Sequence, residues 1–165
     1  MIKVDNVKVV KPPNPICFEK DDNSIKVFLA GSIEMGKAVD WQTDTENYLR
    51  ENSSIDFTLF NPRRQEWDES WIQDYMNPNF YQQVSWEMNA LDKCDLIMMY
   101  FDPPTLSPIS LLELGLYADS NKIVVCCADG FWRRGNVQMV CDKHSIPMFD
   151  TLEKTQEYVK NRIYR

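Results

Sequence analysis

The sequence has one histidine, no pair of cysteines at C-x-x-C spacing and no apolar run near membrane length. Each shortage removes a class of function. A membrane span needs roughly 18–20 apolar residues, and the N-terminus carries charges where a signal peptide would be apolar. The expectation is a cytoplasmic protein with no membrane partner. Cys17, Cys94, Cys126, Cys127 and Cys141 form an odd, scattered set, which suits reduced thiols better than a disulfide frame. A catalytic thiol normally wants a histidine partner, and His144 is the single candidate. A zinc site lacks its ligand set for the same reason. Positive charge is also short: 18 Lys+Arg against 25 Asp+Glu give a net charge of −7. That excludes the basic face of a polynucleotide binder, while a small anionic ligand held by one or two arginines stays compatible.

What is present is regular. The 165 residues suit one domain. Residues 1–24 read as an N-terminal extension packed on the domain, with one possible short strand and a Pro-rich turn. Residues 25–165 read as the single domain itself. Apolar runs at 25–31, 55–62, 95–101 and 122–128 have the look of strands buried on both faces, and 145–149 of an edge strand. Helical spacing marks 36–52, with Ala38, Trp41, Thr45, Tyr48 and Leu49 on one stripe. It also marks 78–94, with Phe80, Val84, Met88 and Leu91 on one face, and then 107–120, 133–143 and 151–162. Alternation of this kind predicts an α/β fold, a parallel sheet of about five strands with helices on both faces. Ligands of such sheets lie beyond the carboxyl ends of the strands, here Gly31-Ser32, Asn61-Pro62-Arg63-Arg64, Asp102 and Cys127-Ala128.

One segment carries the strongest chemical signal. In FDPPTLSPISLLELGLYADS (101–120), Ser107 is placed to cap a helix with Pro108 in its first turn. Glu113 then stands among Ile109, Leu111, Leu112, Leu114 and Leu116, with no basic residue at helical spacing. A carboxylate half-buried there, with Tyr117 placed to donate to it, is a natural nucleophile or general base. Arg63 or Arg64 could clamp a phosphate or a base edge, and Trp67 or Trp71 could stack on a planar base. The run GSIEMGKA (31–38) matches G-x-x-x-x-G-K after a strand. Ala38 replaces the magnesium-binding hydroxyl and Glu34 stands where phosphates need amides, so the match reads as coincidental. Gly31 and Ser32 remain placed for close approach to a ligand. Finally, Phe131, Trp132, Val137, Met139 and Val140 form an apolar set beside Arg133 and Arg134. Trp and Arg are enriched at interface centres. A second copy of the chain is expected there, with Asn136 or a neighbour reaching that copy's active site.

VFLAGSIE, NPRR, QQVSWEMNALDKCDLIMMYFDPPTLSPISLLELGLYA and GFWRRGNV resemble the nucleoside 2-deoxyribosyltransferase-like family over about residues 26–150. The resemblance implies a flavodoxin-like or Rossmann-like domain that cleaves N-glycosidic bonds of 2-deoxyribonucleosides. It implies that Glu113, in LLELGLY, is the nucleophile. It further implies that Glu87, eight residues before the Asp95 strand, helps to bind substrate, and that Asp102 and Ser107 line the site. Asp102 or Glu87 would protonate the leaving base or hold its ring edge. No metal or redox cofactor is implied. The partners implied are a small-molecule nucleoside or nucleotide and further copies of the chain, as a homodimer or larger. Two positions depart from the family pattern. Phe28 stands where a tyrosine often holds the nucleophile, so that either Tyr117 supplies the hydroxyl or the nucleophile is less tightly oriented. Ser107 stands where some transferases have aspartate, which leaves base preference open, and nucleotide hydrolysis is a variant of the same reading. Two rivals remain at this level: a non-catalytic nucleotide-binding or regulatory module on the same fold, and a magnesium-dependent phosphotransferase.

Overall fold

The computed structural model describes residues 5–34, 38–64 and 70–162. Its strands are β1 (Val7–Val10), β2 (Ile25–Gly31), β3 (Phe57–Phe60), β4 (Leu96–Phe101), β5 (Ile123–Cys127) and β6 (Met148–Phe149). They pair in the order β1-β3-β2-β4-β5-β6, every pair parallel. Six strands therefore replace the expected five or so. The addition is β1, where a four-residue VKVV segment completes the outer edge of β3 in the register Val7↔Phe57. The Asn6 amide secures it by donating to the carbonyls of Ser53 and Ile55. Without β1, the order is that of a flavodoxin-like doubly wound sheet.

Five helices complete the described chain: α1 (Trp41–Asn52), α2 (Pro78–Lys93), α3 (Pro108–Tyr117), α4 (Arg134–Lys143) and α5 (Leu152–Asn161). Alternation along the central strands sends their side chains to two cores. On one face Phe28, Ala30, Phe60, Ile97, Met99, Phe101 and Val125 pack against Trp86 and Leu91 of α2, Leu114 of α3 and Val137 of α4. On the other Val27, Leu29, Leu59, Met98 and Val124 pack against Trp41 and Leu49 of α1 and Val159 of α5.

Helix starts follow their caps. α2 begins at Pro78 because Asn77 accepts from the amides of Asn79 and Phe80. α1 begins at Trp41, later than the helical pattern from 36 suggests, because the Asp40 carboxylate takes the Thr43 amide at 3.2 Å. A phosphate-binding loop would open straight into its helix, so this late start removes the structural context of the GSIEMGKA match, whose Gly36 and Lys37 lie outside the described residues.

Chain direction reverses across the sheet between β2 and β4, the switch point at which doubly wound folds bind ligands. Here the strands touch. A Cβ on Gly31 would lie 2.2 Å from the Tyr100 carbonyl oxygen, and Gly31 has φ +135°. Glycine at this position is required by the neighbouring strand, before any ligand is considered.

Candidate active site

The switch point is tied by a buried cluster of hydroxyls. Ser32 Oγ lies 2.5 Å from Ser107 Oγ and 2.8 Å from Thr105 Oγ1, and it accepts the Asp102 amide at 2.9 Å. All three hydroxyl residues are buried. Ser107 thus does not cap α3 as its sequence position suggests. It adopts a left-handed conformation (φ 47°) with no side-chain cap bond, because its hydroxyl is drawn inward to Ser32. Glu34 supplies acceptor strength to the same turn, taking the amides of Leu106 and Ser107 at 2.5 Å each.

Asp102 is buried and turned to the α1 side of the sheet, as strand alternation requires of the residue after Phe101. One carboxylate oxygen accepts the Val39 amide at 3.1 Å and the other is 3.5 Å from the Tyr100 hydroxyl. The Val39 bond ties Asp102 to the segment leading into α1.

On the opposite face, the structure brings together Glu87 of α2 and Glu113 of α3. Both are half-buried. Loss of water pushes the Glu113 carboxyl up to about 8, and the nearby Glu87 charge adds to the rise. Glu87 is likewise raised by burial, against a hydrogen bond from Gln83 Nε2 at 2.9 Å that favours its ionised form. Glu113 makes no hydrogen bond among the described residues. The Tyr117 hydroxyl, expected to hold it, donates instead to Asp92 Oδ1 at 2.6 Å. Asp92 lies on α2, beyond any local pattern. Phe28 is a core residue that packs beside Trp86 and offers no hydroxyl. Among the described residues, therefore, no hydroxyl orients Glu113. Burial and the neighbouring Glu87 charge both work against an ionised Glu113. One carboxylate and one carboxylic acid are the two groups that glycoside cleavage uses.

The NPRR turn splits its roles. Asn61 is buried and accepts the Arg63 amide at 3.0 Å. Arg63 reaches toward α1, donating to Gln42 Oε1 at 3.2 Å and to the Val39 carbonyl at 3.1 Å, with Asp40 at 3.8 Å. In this arrangement the guanidinium fastens the end of β3 to the start of α1. Arg64 points the other way, over the Trp71 ring at 5.1 Å and to Gln82 Oε1 of α2 at 3.3 Å. Trp67 lies outside the described residues. Trp41 and Trp86 are core.

Asn136 is exposed in a groove between α3 and α4, a cavity of about 330 Å³ shared with Leu111, Gly115, Trp132, Arg133 and Val140. It is on the α4 side of α3, away from the Glu87–Glu113 pair. Sequence reasoning missed Gln83, Thr105 and the structural part of Glu34. Gln83 was hidden by the choice of stripe on α2: the buried residues are Gln83, Trp86, Ala90 and Leu91, whereas Met88 is exposed. A glutamine three residues before a buried tryptophan was the available signal. Among the described residues no group of three or more His, Cys, Asp or Glu side chains could hold a metal ion, and no helix is long and apolar enough to cross a membrane.

Comparison with known proteins adds two likenesses. The family described as nucleoside 2-deoxyribosyltransferase like matches residues 24–131, which include Ser32, Glu87, Asp102 and Glu113. Among solved structures, the fold is similar to that of a conserved protein from Enterococcus faecalis V583. The TM-score is 0.60 at 14% identity, and the match covers 84% of this chain and 99% of that one. No curated protein matches the sequence.

Proposed function

The chain belongs to the nucleoside 2-deoxyribosyltransferase-like family, and from that premise we propose that it cleaves the N-glycosidic bond of a 2-deoxyribonucleoside or its 5′-monophosphate. The observation that carries this reading is the pair of half-buried, desolvated carboxyls, Glu87 on α2 and Glu113 on α3, with the Glu87 charge acting on Glu113.

The step balances on these two groups. Glu113, as carboxylate, attacks C1′ and forms a C1′–O bond while the C1′–N bond breaks. The electron pair of that bond goes to the base, whose ring nitrogen takes the proton of Glu87. A base is a poor leaving group without that proton. The result is a deoxyribosyl ester of Glu113 and an ionised Glu87. A second base, or water, then attacks C1′, Glu87 recovers a proton from it, and Glu113 leaves as carboxylate. Two displacements return the anomeric configuration. In the free protein burial favours a protonated Glu113, and a bound base that offers a lone pair to Glu87 favours the arrangement with Glu113 ionised.

The groove between α3 and α4 supports a companion inference: a second copy of the chain covers it, as homodimer or larger assembly, with Asn136 directed to the other copy's site.

The test is incubation with 2-deoxynucleosides and their monophosphates, with and without a second free base. Free base or an exchanged nucleoside is expected, and Glu113→Gln should reduce turnover by about 10³-fold or more while keeping the fold. Binding without turnover would select a non-catalytic nucleotide-binding module instead, and wild-type turnover in a folded Gln variant would remove Glu113 as nucleophile.

A further inference from the structure

Gln83 occupies a position where burial alone would select an apolar side chain. It lies on the buried stripe of α2 with Trp86, Ala90 and Leu91, is 4% exposed, and its Oε1 has no hydrogen-bond partner among the described residues. Leucine or methionine would fill the same space without burying an unpaired acceptor. The use of glutamine must therefore lie in its other end. There Nε2 donates to two acceptors from different elements, the Pro62 carbonyl at 3.1 Å and Glu87 Oε1 at 2.9 Å. The Pro62 carbonyl can only accept, which fixes which way the amide faces.

We propose that Gln83 is a positioning residue for the acid of the reaction: it locks the Glu87 carboxyl to the turn that ends β3. The inference rests on the reading of Glu87 as proton donor. A glutamate on a helix has several rotamers, and proton transfer requires the acid within hydrogen-bond reach of the leaving nitrogen. With Oε1 held by Gln83, Oε2 is left to carry the proton. The same N–H donates more strongly once Glu87 has lost its proton. Gln83 therefore favours the state that the transition state approaches more than the state before it, which is the condition for raising turnover. Because Pro62 precedes Arg63 and Arg64 in the turn, the clamp also sets the acid's place relative to that turn.

The experiment compares two substrates. A natural 2-deoxynucleoside needs protonation of its base, whereas nitrophenyl 2-deoxyriboside loses nitrophenolate without a proton. For Gln83→Met, kcat on the nucleoside should fall about 100-fold, the lower end for losing a placed acid. KM, and all constants for the nitrophenyl compound, should stay within about threefold. In a Glu87→Gln background, Gln83→Met should have no further effect, since both changes remove the same contribution. Should the Met variant fail to fold, Gln83→Asn keeps the amide but is one methylene too short to reach both acceptors, and should show the same split. Equal losses on both substrates, no loss on either, or additive effects with Glu87→Gln would make Gln83 a packing residue and overturn the proposal. Inactivity of the wild type toward both compounds would instead remove the proposed function, and the role of Gln83 with it.

Discussion

At the scale of single residues, the site conflicts with the fold that carries it. Glu113 has an ordinary carboxyl pKa in the unfolded chain, near 4.5, and is pushed up to about 8 when folded. A folded value above the unfolded one means that the protonated form is favoured by folding. The contribution is complete below the unfolded pKa and is lost as pH rises toward the folded one. From pH 4.5 to 8 the wild type should therefore lose stability relative to Glu113→Gln, whose amide does not titrate. Denaturant melts of both proteins should nearly coincide near pH 4.5 and separate by on the order of 2–3 kcal/mol at pH 8, with the Gln variant the more stable. A constant gap across that range would mean that Glu113 is solvated. This residue was legible in the sequence because an acid in an otherwise apolar helix has a single local reading. Its neighbours were not. The Tyr117–Asp92 bond and the inward turn of Ser107 to Ser32 join residues from separate elements, and no spacing rule within one helix announces such pairs.

At the scale of elements, long apolar runs made the central strands plain, whereas the four-residue VKVV of β1 carries too little pattern to read as more than one possible short strand. α1 shows two local signals in competition: apolar spacing from residue 36 suggested a longer helix, and the Asp40 cap fixed the start at Trp41. Arg63 then makes sense only once that start is known, since its partners Val39 and Gln42 flank it. The most demanding junction is β2 against β4. Gly31→Ala would place a methyl 2.2 Å from a backbone carbonyl at a φ of +135°. Backbone cannot move aside as a side-chain tip can. The substitution should destabilise by about 4 kcal/mol or more, the range reserved for forced backbone strain, or prevent folding. Urea titration measures it, and a loss below about 1 kcal/mol would show that the two strands can separate at the switch point.

At the scale of the whole molecule, α3 is apolar on more sides than the described residues cover. Leu114 packs inward, while Ile109, Leu112 and Leu116 are each about three-fifths exposed or more (59%, 67% and 61%). Trp132 and Met139 of the adjoining segment are also exposed, and Trp132 Nε1 donates to the Leu106 carbonyl at 2.9 Å, which fixes the indole at this edge. Gly115 adds an independent sign. Among the described residues a Cβ there would meet nothing within 4 Å, so alanine would fit and would favour the helix by about 1 kcal/mol. The open position gains a purpose if a second copy brings its own side chains across it, and an isologous contact would pair two α3–α4 faces around one axis. Two substitutions separate this from a lone domain with an oily surface. Leu112→Asp should shift sedimentation at micromolar concentration from dimer to monomer while leaving the melt of the isolated fold within about 0.5 kcal/mol, as for an exposed site. Gly115→Ala should strengthen the fold yet weaken the association, because the added methyl meets the partner. If Asn136 serves the neighbouring site, the Leu112→Asp monomer should also lose most of its turnover, and adding wild-type chains should restore part of it. A Leu112→Asp monomer with full activity would leave each chain with a complete site of its own.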